Sequence, residues 1–374
     1  MSRAPHPAWD AYCMVQGAEF LQFWGQLLAL EDRRLLYILG CGFDPRMCLG
    51  LKTLLSVGGN CGLNVLLVGY EEGPNSPSRD YDEMVQQNVL ELELMAKGRA
   101  SVDKKSVRMW AYDGTRRRRT SSVASMKLFG GTEDLRAYTD VVVDISALPR
   151  SIYLSLIGKL IYLLQDVHQQ NLHVIVAEDA TLDRQIVEVG VDESAGYIHG
   201  FGGGLDLAAS GEIPTILIPI LGEAQHDQLQ RIRSLVEPEE ICPVLPFPSR
   251  NPRRGDDLMM AYRELLFDQW RVEPRNIIYA SELNPFDAYR QIYRVALRYK
   301  KVLSPLGGCR IALASLSSKL ISLGALLAAH ELKAMGESVG LANVEAEGYR
   351  IAGILEPTST NLYSLWLTGE CYER

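Results

Sequence analysis

The sequence predicts an α/β chain of two tandem Rossmann-like domains, each a mostly parallel sheet covered by helices, related by internal duplication. Three observations lead there. Short, nearly continuous apolar runs rich in Val, Ile and Leu alternate with helical stretches, the pattern of strands buried on both faces. The alternation stops at the glycine-rich segment 195–212 and then begins again. The second series repeats the order of the first, with coincidences in turns as well as in core positions.

Residues 1–34 read as a helical lead-in, because "AEFLQFWGQLLALEDRRL" places apolar residues at helical spacing. The first domain, 35–194, opens with the strand "RLLYILGCG". The helix "PRMCLGLKTLLSVGG" ends on Gly58-Gly59, glycines being favoured past helix ends. "LNVLLVGY" is the second strand, "DYDEMVQQNVLELELMAKG" a long helix and "SVRMWAYDG" the third strand. "TDVVVDIS" is the fourth, followed by the apolar helix of "SIYLSLIGKL", and "NLHVIVAED" is the fifth.

The linker 195–212 contains three consecutive glycines, Gly202–Gly204. The second domain, 213–374, runs "PTILIPILG" (strand), "HDQLQRIRSLV" (helix), "EEICPVLPFP" (strand) and "RGDDLMMAYRELLFDQW" (long helix). "RNIIYAS" (strand), "PFDAYRQIYRVALRYKKV" (helix) and "CRIALASLSSKLISLGALLAAHELKAMG" (strand, turn, helix) follow, and "SVGLANVEAEG" is the last strand.

An offset of 169 sets "DISALPRSIYLSLIGKL" on "LASLSSKLISLGALLAA". It places Ser146 on Ser315 and Arg150 on Lys319, and continues without a gap to Glu178 on Glu347. An offset of 175 sets "NSPSRDYDEMV" on "RNPRRGDDLMM", with Arg79 on Arg254 and Asp82 on Asp257. Such self-similarity is the mark of a duplicated unit.

Composition narrows the classes. The 374 residues carry a formal net charge of -8, which argues against a large nucleic-acid-coating surface. The seven cysteines form no CxxC pair, and the histidines (His6, His168, His173, His199, His226, His330) show no metal-ligand spacing, so a zinc site or disulfide framework is not expected. No apolar run approaches a membrane span and "MSRAPHPAWDAYC" lacks a leader's apolar region, so a cytoplasmic protein with reduced thiols is expected.

In an open parallel sheet, ligands bind beyond the carboxyl ends of the strands, at the switch point between strands 1 and 4. The strand-4 turns carry Ser146 and Arg150 in one half and Ser315, Ser317, Ser318 and Lys319 in the other. A serine at a helix N-terminus caps the helix or bonds a phosphate oxygen, and a neighbouring cation adds a full charge. Asp44 and Arg46 follow strand 1, while Arg79 and Arg254 lie in Ser/Arg/Pro loops after strand 2. These ten residues are the candidate ligand-binding set. Arg116, Arg117, Arg118 and Arg119 read as a flexible basic loop, solvated or facing phosphate, nucleic acid or an acidic partner.

"GCGFDPR" also resembles the first motif of Rossmann-like methyltransferases. Asp44, Glu71 or Glu72, and Asp113-Gly114 would then hold S-adenosylmethionine, although "DISALPR" is not the Asn-Pro-Pro-Tyr-type turn of amino-methylating enzymes. No GxSxG elbow, phosphate-binding Walker loop or Cys/His nucleophile context occurs, so no catalytic residue is assigned.

The two strand-4 turns, "DISALPRSIYLSLI" and "ASLSSKLISLGALLAA", resemble those of CARF and SAVED domains, the Rossmann-like sensors of prokaryotic antiviral systems. There the fourth strand runs through a "D-[IV]-T-G-G-T-K"-like turn into an apolar helix, and SAVED proteins fuse two such units; here "ALP" and "LSS" stand in place of "GGT". The resemblance implies recognition of a cyclic or linear oligonucleotide messenger, with the effector on another chain. The sequence-level expectation is therefore a nucleotide-sensing or assembly subunit that binds a phosphate-bearing ligand and needs no resident cofactor. A methyltransferase-like or nucleotide-processing enzyme and a catalytically inactive scaffold are the alternatives.

Overall fold

The computed structural model describes residues 7–58, 61–113, 116–167, 169–202, 213–355 and 360–372. His6, Gly59, Gly114, His168, Gly203 and Gly204, named above, lie outside them. In chain order the elements begin with β1 (Cys13–Gln16), α1 (Gly17–Leu28), β2 (Arg34–Gly40), α2 (Leu49–Ser56), β3 (Gly62–Glu71), α3 (Asp82–Ala96) and β4 (Ala100–Arg108). Then come β5 (Trp110–Asp113), β6 (Arg116–Arg119), α4 (Ser121–Met126), β7 (Asp140–Asp144), α5 (Arg150–Leu164), β8 (Asn171–Glu178), α6 (Ala180–Gln185), β9 (Ile186–Val191) and β10 (Gly196–Tyr197). The chain continues through β11 (Thr215–Ile220), α7 (His226–Val236), β12 (Glu240–Ile241), β13 (Val244–Pro246), α8 (Arg254–Ala261) and β14 (Ile278–Ala280). It ends with α9 (Pro285–Val302), β15 (Arg310–Ser315), α10 (Lys319–Ala334), β16 (Val339–Asn343), β17 (Ala346–Ile351) and β18 (Asn361–Thr368).

The chain divides into two compact units. The first comprises residues 12–190 and 346–374, the second residues 1–11 and 191–345. In the first, the sheet order is β1-β18-β8-β7-β2-β3-β4, and in the second it is β10-β16-β15-β11-β13-β14, with β12 also on β11. Numbered by role, both central runs read 5-4-1-2-3, all parallel. Each sheet then continues past strand 5 with an antiparallel strand, β18 on β8 and β10 on β16. An identical central strand order, with an antiparallel strand beyond strand 5 in both, is what duplication of one unit produces; the first sheet adds β1 outside β18. The predicted fold class is the observed one.

The strands in the middle of each sheet form because both their faces are covered. β7 and β11 are buried at every residue, which explains their runs of Val and Ile. The helices after strand 4, α5 and α10, are buried nearly all round, as expected of helices apolar on every side. The two helices begin at Arg150 and Lys319, the residues matched at an offset of 169.

Several sequence expectations are corrected. The lead-in is divided: residues 1–11 belong to the second unit, while β1 and α1 belong to the first, with β1 paired to β18. Residues 346–374, expected in the second domain, contribute β17 and β18 to the first unit. The third strand starts at Ala100, not Ser106, and forms one edge of its sheet. Exposed Asp103, Lys104 and Lys105 break its apolar pattern, as charges commonly do on edges. The 254–270 helix breaks after Ala261 and resumes as a wider turn over Glu264–Gln269. The ungapped match to Glu347 also fails. Asp144 pairs with Ile175 and Leu313 with Leu341, so strand 5 is related by 166, because the link from α10 to β16 is shorter.

Candidate functional site

Ser146 and Ser315 both close strand 4, but their surroundings differ. Ser146 is fully buried and its Oγ accepts the Ala177 N–H at 2.9 Å, tying the end of β7 to β8. Its own N–H donates to Asp144 Oδ1 at 2.9 Å, and Asp144 Oδ2 takes the Tyr37 hydroxyl at 2.7 Å. The N-cap of α5 is Pro149, which has no hydroxyl to offer. Arg150 is held by Glu188 of β9, with Nη1–Oε1 at 3.3 Å. Burial alone would lower its pKa, but Glu188, followed by Tyr153 and by Tyr349 of β17, raises it.

β9 and β17 pair as a ribbon that reaches the carboxyl-end loops of the first sheet. The Tyr349 N–H donates to Ser78 Oγ and the Ile351 N–H to Tyr81 Oη, both at 2.9 Å. Glu347 takes Arg117 at 2.8 Å, and the Arg117 guanidinium lies 4.0 Å from the Trp110 ring centre. The expected flexible arginine loop is therefore β6, paired with β5. A cation stacked on an indole and paired to a carboxylate is a fixed group. Arg118 remains exposed.

Asp44 and Arg46 come together, but as an internal clamp. Arg46 donates from Nε to Asp44 Oδ1 at 3.0 Å and from Nη2 to Asp44 Oδ2 at 2.7 Å, and from Nη1 to Asp183 at 2.7 Å. It is 4% exposed. Burial works to lower its pKa, and the carboxylates of Asp44 and then Asp183 override that, raising it. The glycines of "GCG" also face the protein. A Cβ on Gly40 would lie 2.8 Å from the Ala147 carbonyl, and one on Gly42 would lie 2.4 Å from the Tyr70 hydroxyl. Glu71 accepts from Ser106 and Glu72 from Ser76. Asp44, Glu71 and Glu72, expected to hold S-adenosylmethionine, are thus engaged internally. Exposed Arg79 contacts only its own loop at the Pro74 carbonyl among the bonds observed.

The serine hydroxyls of the second unit's strand-4 turn are placed differently. Ser315 is 1% exposed, and its hydroxyl has no hydrogen-bond partner among the described residues. The hydroxyl of Ser318, the N-cap residue of α10, is likewise buried without a partner and makes no cap bond. Half-buried Lys319 is the first residue of that helix. A third orphan, Gln225 Oε1, sits at the end of the loop leaving β11. β11 and β15 are neighbours, with Ile220 opposite Ser315. Their loops touch so closely that a Cβ on Gly222 would lie 1.7 Å from the Leu316 carbonyl. Tyr262 secures the loop by donating to the Gly222 carbonyl at 2.8 Å and accepting from Gln225 N at 3.1 Å.

A buried hydroxyl without a partner costs on the order of 1–3 kcal/mol. Three such groups lie on the loops of one switch point, and groups of this kind are met by ordered water or a ligand. The N-terminal end of a 16-residue helix is an electropositive position. Ser317 is half-buried beside them. Arg254 is spoken for: it pairs with Glu282, and its Nε lies 3.3 Å from Glu223 Oε1, joining the loops after β11, β13 and β14. Sequence reading missed Gly222 and Gln225. Both stand in "ILGEAQHD", where the only available signal was a glycine directly after strand 1.

Two clefts lie elsewhere. One of about 560 Å³ in the second unit is bordered by Glu193, Asp227, Arg231 and Ser234, and one of about 480 Å³ in the first is lined mainly by leucines with Cys61 and Arg99. Among the described residues no group of three or more His, Cys, Asp or Glu is placed to hold a metal ion, and no helix is long and apolar enough to cross a membrane.

Fold and site define a tandem Rossmann-like α/β protein in which one strand-4 turn is tied internally and the other carries orphan hydroxyls. No family model matches the chain, and no curated protein matches it. Among solved structures it is similar to a putative universal stress protein from Pseudomonas aeruginosa, at 10% identity over 83% of this chain and 92% of that one, with a TM-score of 0.22. It is also similar to a functionally unknown protein from Pseudomonas aeruginosa, at 9% identity over 85% and 94%, with a TM-score of 0.22. A universal stress protein from Archaeoglobus fulgidus follows, at 10% identity over 82% and 94%, with a TM-score of 0.23. Scores this low carry no weight for function, and the fold rests on the two sheet orders.

Proposed function

We propose that this chain is a ligand-binding subunit whose second unit takes a phosphate-bearing nucleotide or oligonucleotide at the turn between β15 and α10. The observation that carries the reading is the pair of buried, partnerless hydroxyls on Ser315 and Ser318 beside Lys319. Their O–H groups donate to phosphate oxygens, the helix end supplies a favourable potential, and Lys319 supplies the charge. Nothing in this set performs bond-making chemistry, so the role is recognition.

The first unit acts as scaffold in this reading. Its strand-4 serine is saturated by Ala177, and its strand-4 cation by Glu188. The messenger-sensing role implied by the resemblance to CARF and SAVED domains then falls to the second unit. The output falls to a partner chain, within a prokaryotic defence system and in the cytoplasm. Exposed Arg118 on β6 is available to an acidic or nucleic-acid partner in this reading.

Calorimetric titration of inorganic tripolyphosphate and of ATP into the full chain tests the reading. Saturable binding is expected, weakened at least tenfold in Lys319→Ala, since a charge-assisted contact is worth about 1.5–3 kcal/mol. Absence of binding by both anions, or unchanged binding in Lys319→Ala, contradicts it.

A further inference from the structure

The β13–β14 edge of the second sheet holds two aromatic side chains that lie outside the apolar cluster of that unit. Phe247 directly follows β13 and is 57% exposed, and Tyr279, on β14, is 53% exposed. Their rings meet edge to face, with centres 6.2 Å apart at 77°. The backbone around them is fixed, because the Phe247 N–H donates to the Ala280 carbonyl at 2.7 Å. Tyr279 alternates with buried Ile278 and Ala280, so β14 turns one face to the core and shows the ring on the other. Neither ring belongs to the apolar cluster formed by Leu217, Leu245, Leu258 and their neighbours.

Position gives the pair a meaning. Along the sheet the order is β15, β11, β13, β14. At about 4.8 Å per strand, β13 lies about 10 Å and β14 about 14 Å from the strand that ends in Ser315. An extended nucleotide with its phosphates at the β15–α10 turn and its sugar over the β11–β13 loops brings its base to this distance. Exposed Arg250 and Arg253, in the loop after Phe247, add positive charge along the same edge.

We infer that Phe247 and Tyr279 form a stacking platform for the base of a nucleotide whose phosphates occupy the Ser315–Lys319 turn. This rests on the proposed phosphate site and adds the ligand's other half. A flat aromatic base gains contact area and favourable ring geometry on such a platform, whatever its hydrogen-bonding edge. The platform therefore selects nucleotides over inorganic phosphates without selecting strongly among bases.

The test compares ATP with inorganic tripolyphosphate, which carries the phosphates without a base, on the full chain. Wild type is expected to bind ATP more tightly. Phe247→Ala with Tyr279→Ala is expected to weaken ATP binding about tenfold or more, the scale of base stacking on aromatic side chains, and to leave tripolyphosphate binding and the melting temperature unchanged. Both residues are exposed, so the fold does not depend on them, and the single variants Phe247→Leu and Tyr279→Thr provide a gentler check. Unchanged ATP binding in the double variant, equal binding of both anions by wild type, or loss of both anions together would overturn the platform. Loss of neither anion in Lys319→Ala would instead overturn the phosphate site beneath it, so the two failures are distinguishable.

Discussion

Ser146 and Ser315 occupy the same point of two matching folds, and only one of them is satisfied. In the first unit, strand 5 offers the Ala177 N–H to the serine, Pro149 removes the second hydroxyl, and Glu188 neutralises Arg150. In the second, the Ser315 hydroxyl has no hydrogen-bond partner among the described residues, and a second serine, Ser318, takes the place of the proline. The ribbon of β9 and β17 marks the same difference, reaching loops of the first unit that would otherwise be open to a ligand. After a duplication, one copy can keep a binding edge while its twin turns equivalent residues into internal ties. Such divergence leaves strand order intact and shows only in where polar groups find partners.

The sharpest way to break this comparison is at the Arg46 clamp. Arg46→Met leaves the buried Asp44 carboxylate without its counter-ion, and breaking a buried pair on one side costs about 3–5 kcal/mol. Chemical denaturation should show that loss, and a cost below about 1 kcal/mol would mean that Asp44 and Arg46 are not structural.

Acid should separate the units next. Burial, followed by the charge of Lys333, lowers the pKa of His330 in the second unit from 6.5 to about 4. The unfolded state then binds the extra proton, so stability falls as pH drops from 6.5 toward 4, by about 3 kcal/mol in all. In the first unit, burial tends to raise the Asp140 pKa, but His173 at 3.1 Å, Thr139 and Arg33 bring it below its ordinary 3.8. That contribution is complete above 3.8 and lost only as pH falls through the lower folded value. Limited proteolysis between pH 7 and pH 4 should therefore open residues 191–345 first. First cleavage within 12–190 would reverse the assignment.

The smallest effect is the most specific. Ser146→Ala strands the Ala177 N–H and should cost about 1–3 kcal/mol, whereas Ser315→Ala removes an orphan hydroxyl and should be neutral or stabilising by about 1 kcal/mol. Equal losses in the two variants, read from urea midpoints, would mean that both serines are ordinary structural groups.

Much of the fold was legible because strands covered on both faces must be apolar throughout. β2, β3, β7, β8, β11 and β15 all announced themselves in that way. β4 did not, since its edge position tolerates Lys104 and Lys105. The crossing of residues 346–374 into the first unit was invisible as well, because strand pattern carries no record of which sheet a strand joins. For the site, the sequence offered residue types with ligand chemistry, and most of their partners could not be read. Arg150, Arg254 and Asp44 have the chemistry of ligand contacts, yet Glu188, Glu282 and Arg46 reach them from 38, 28 and 2 positions away. Ser315, Ser318 and Lys319 carry the role the sequence assigned them as a proposal, with Ser317 beside them.

Hydrogen exchange of the full chain with and without ATP tests the central claim most directly, because it reads both strand-4 turns in one experiment. Slower exchange is predicted in peptides covering 316–322, with no change in those covering 147–153. Protection of 147–153 instead, or of neither segment at saturating ATP, would contradict the division of labour between the two units.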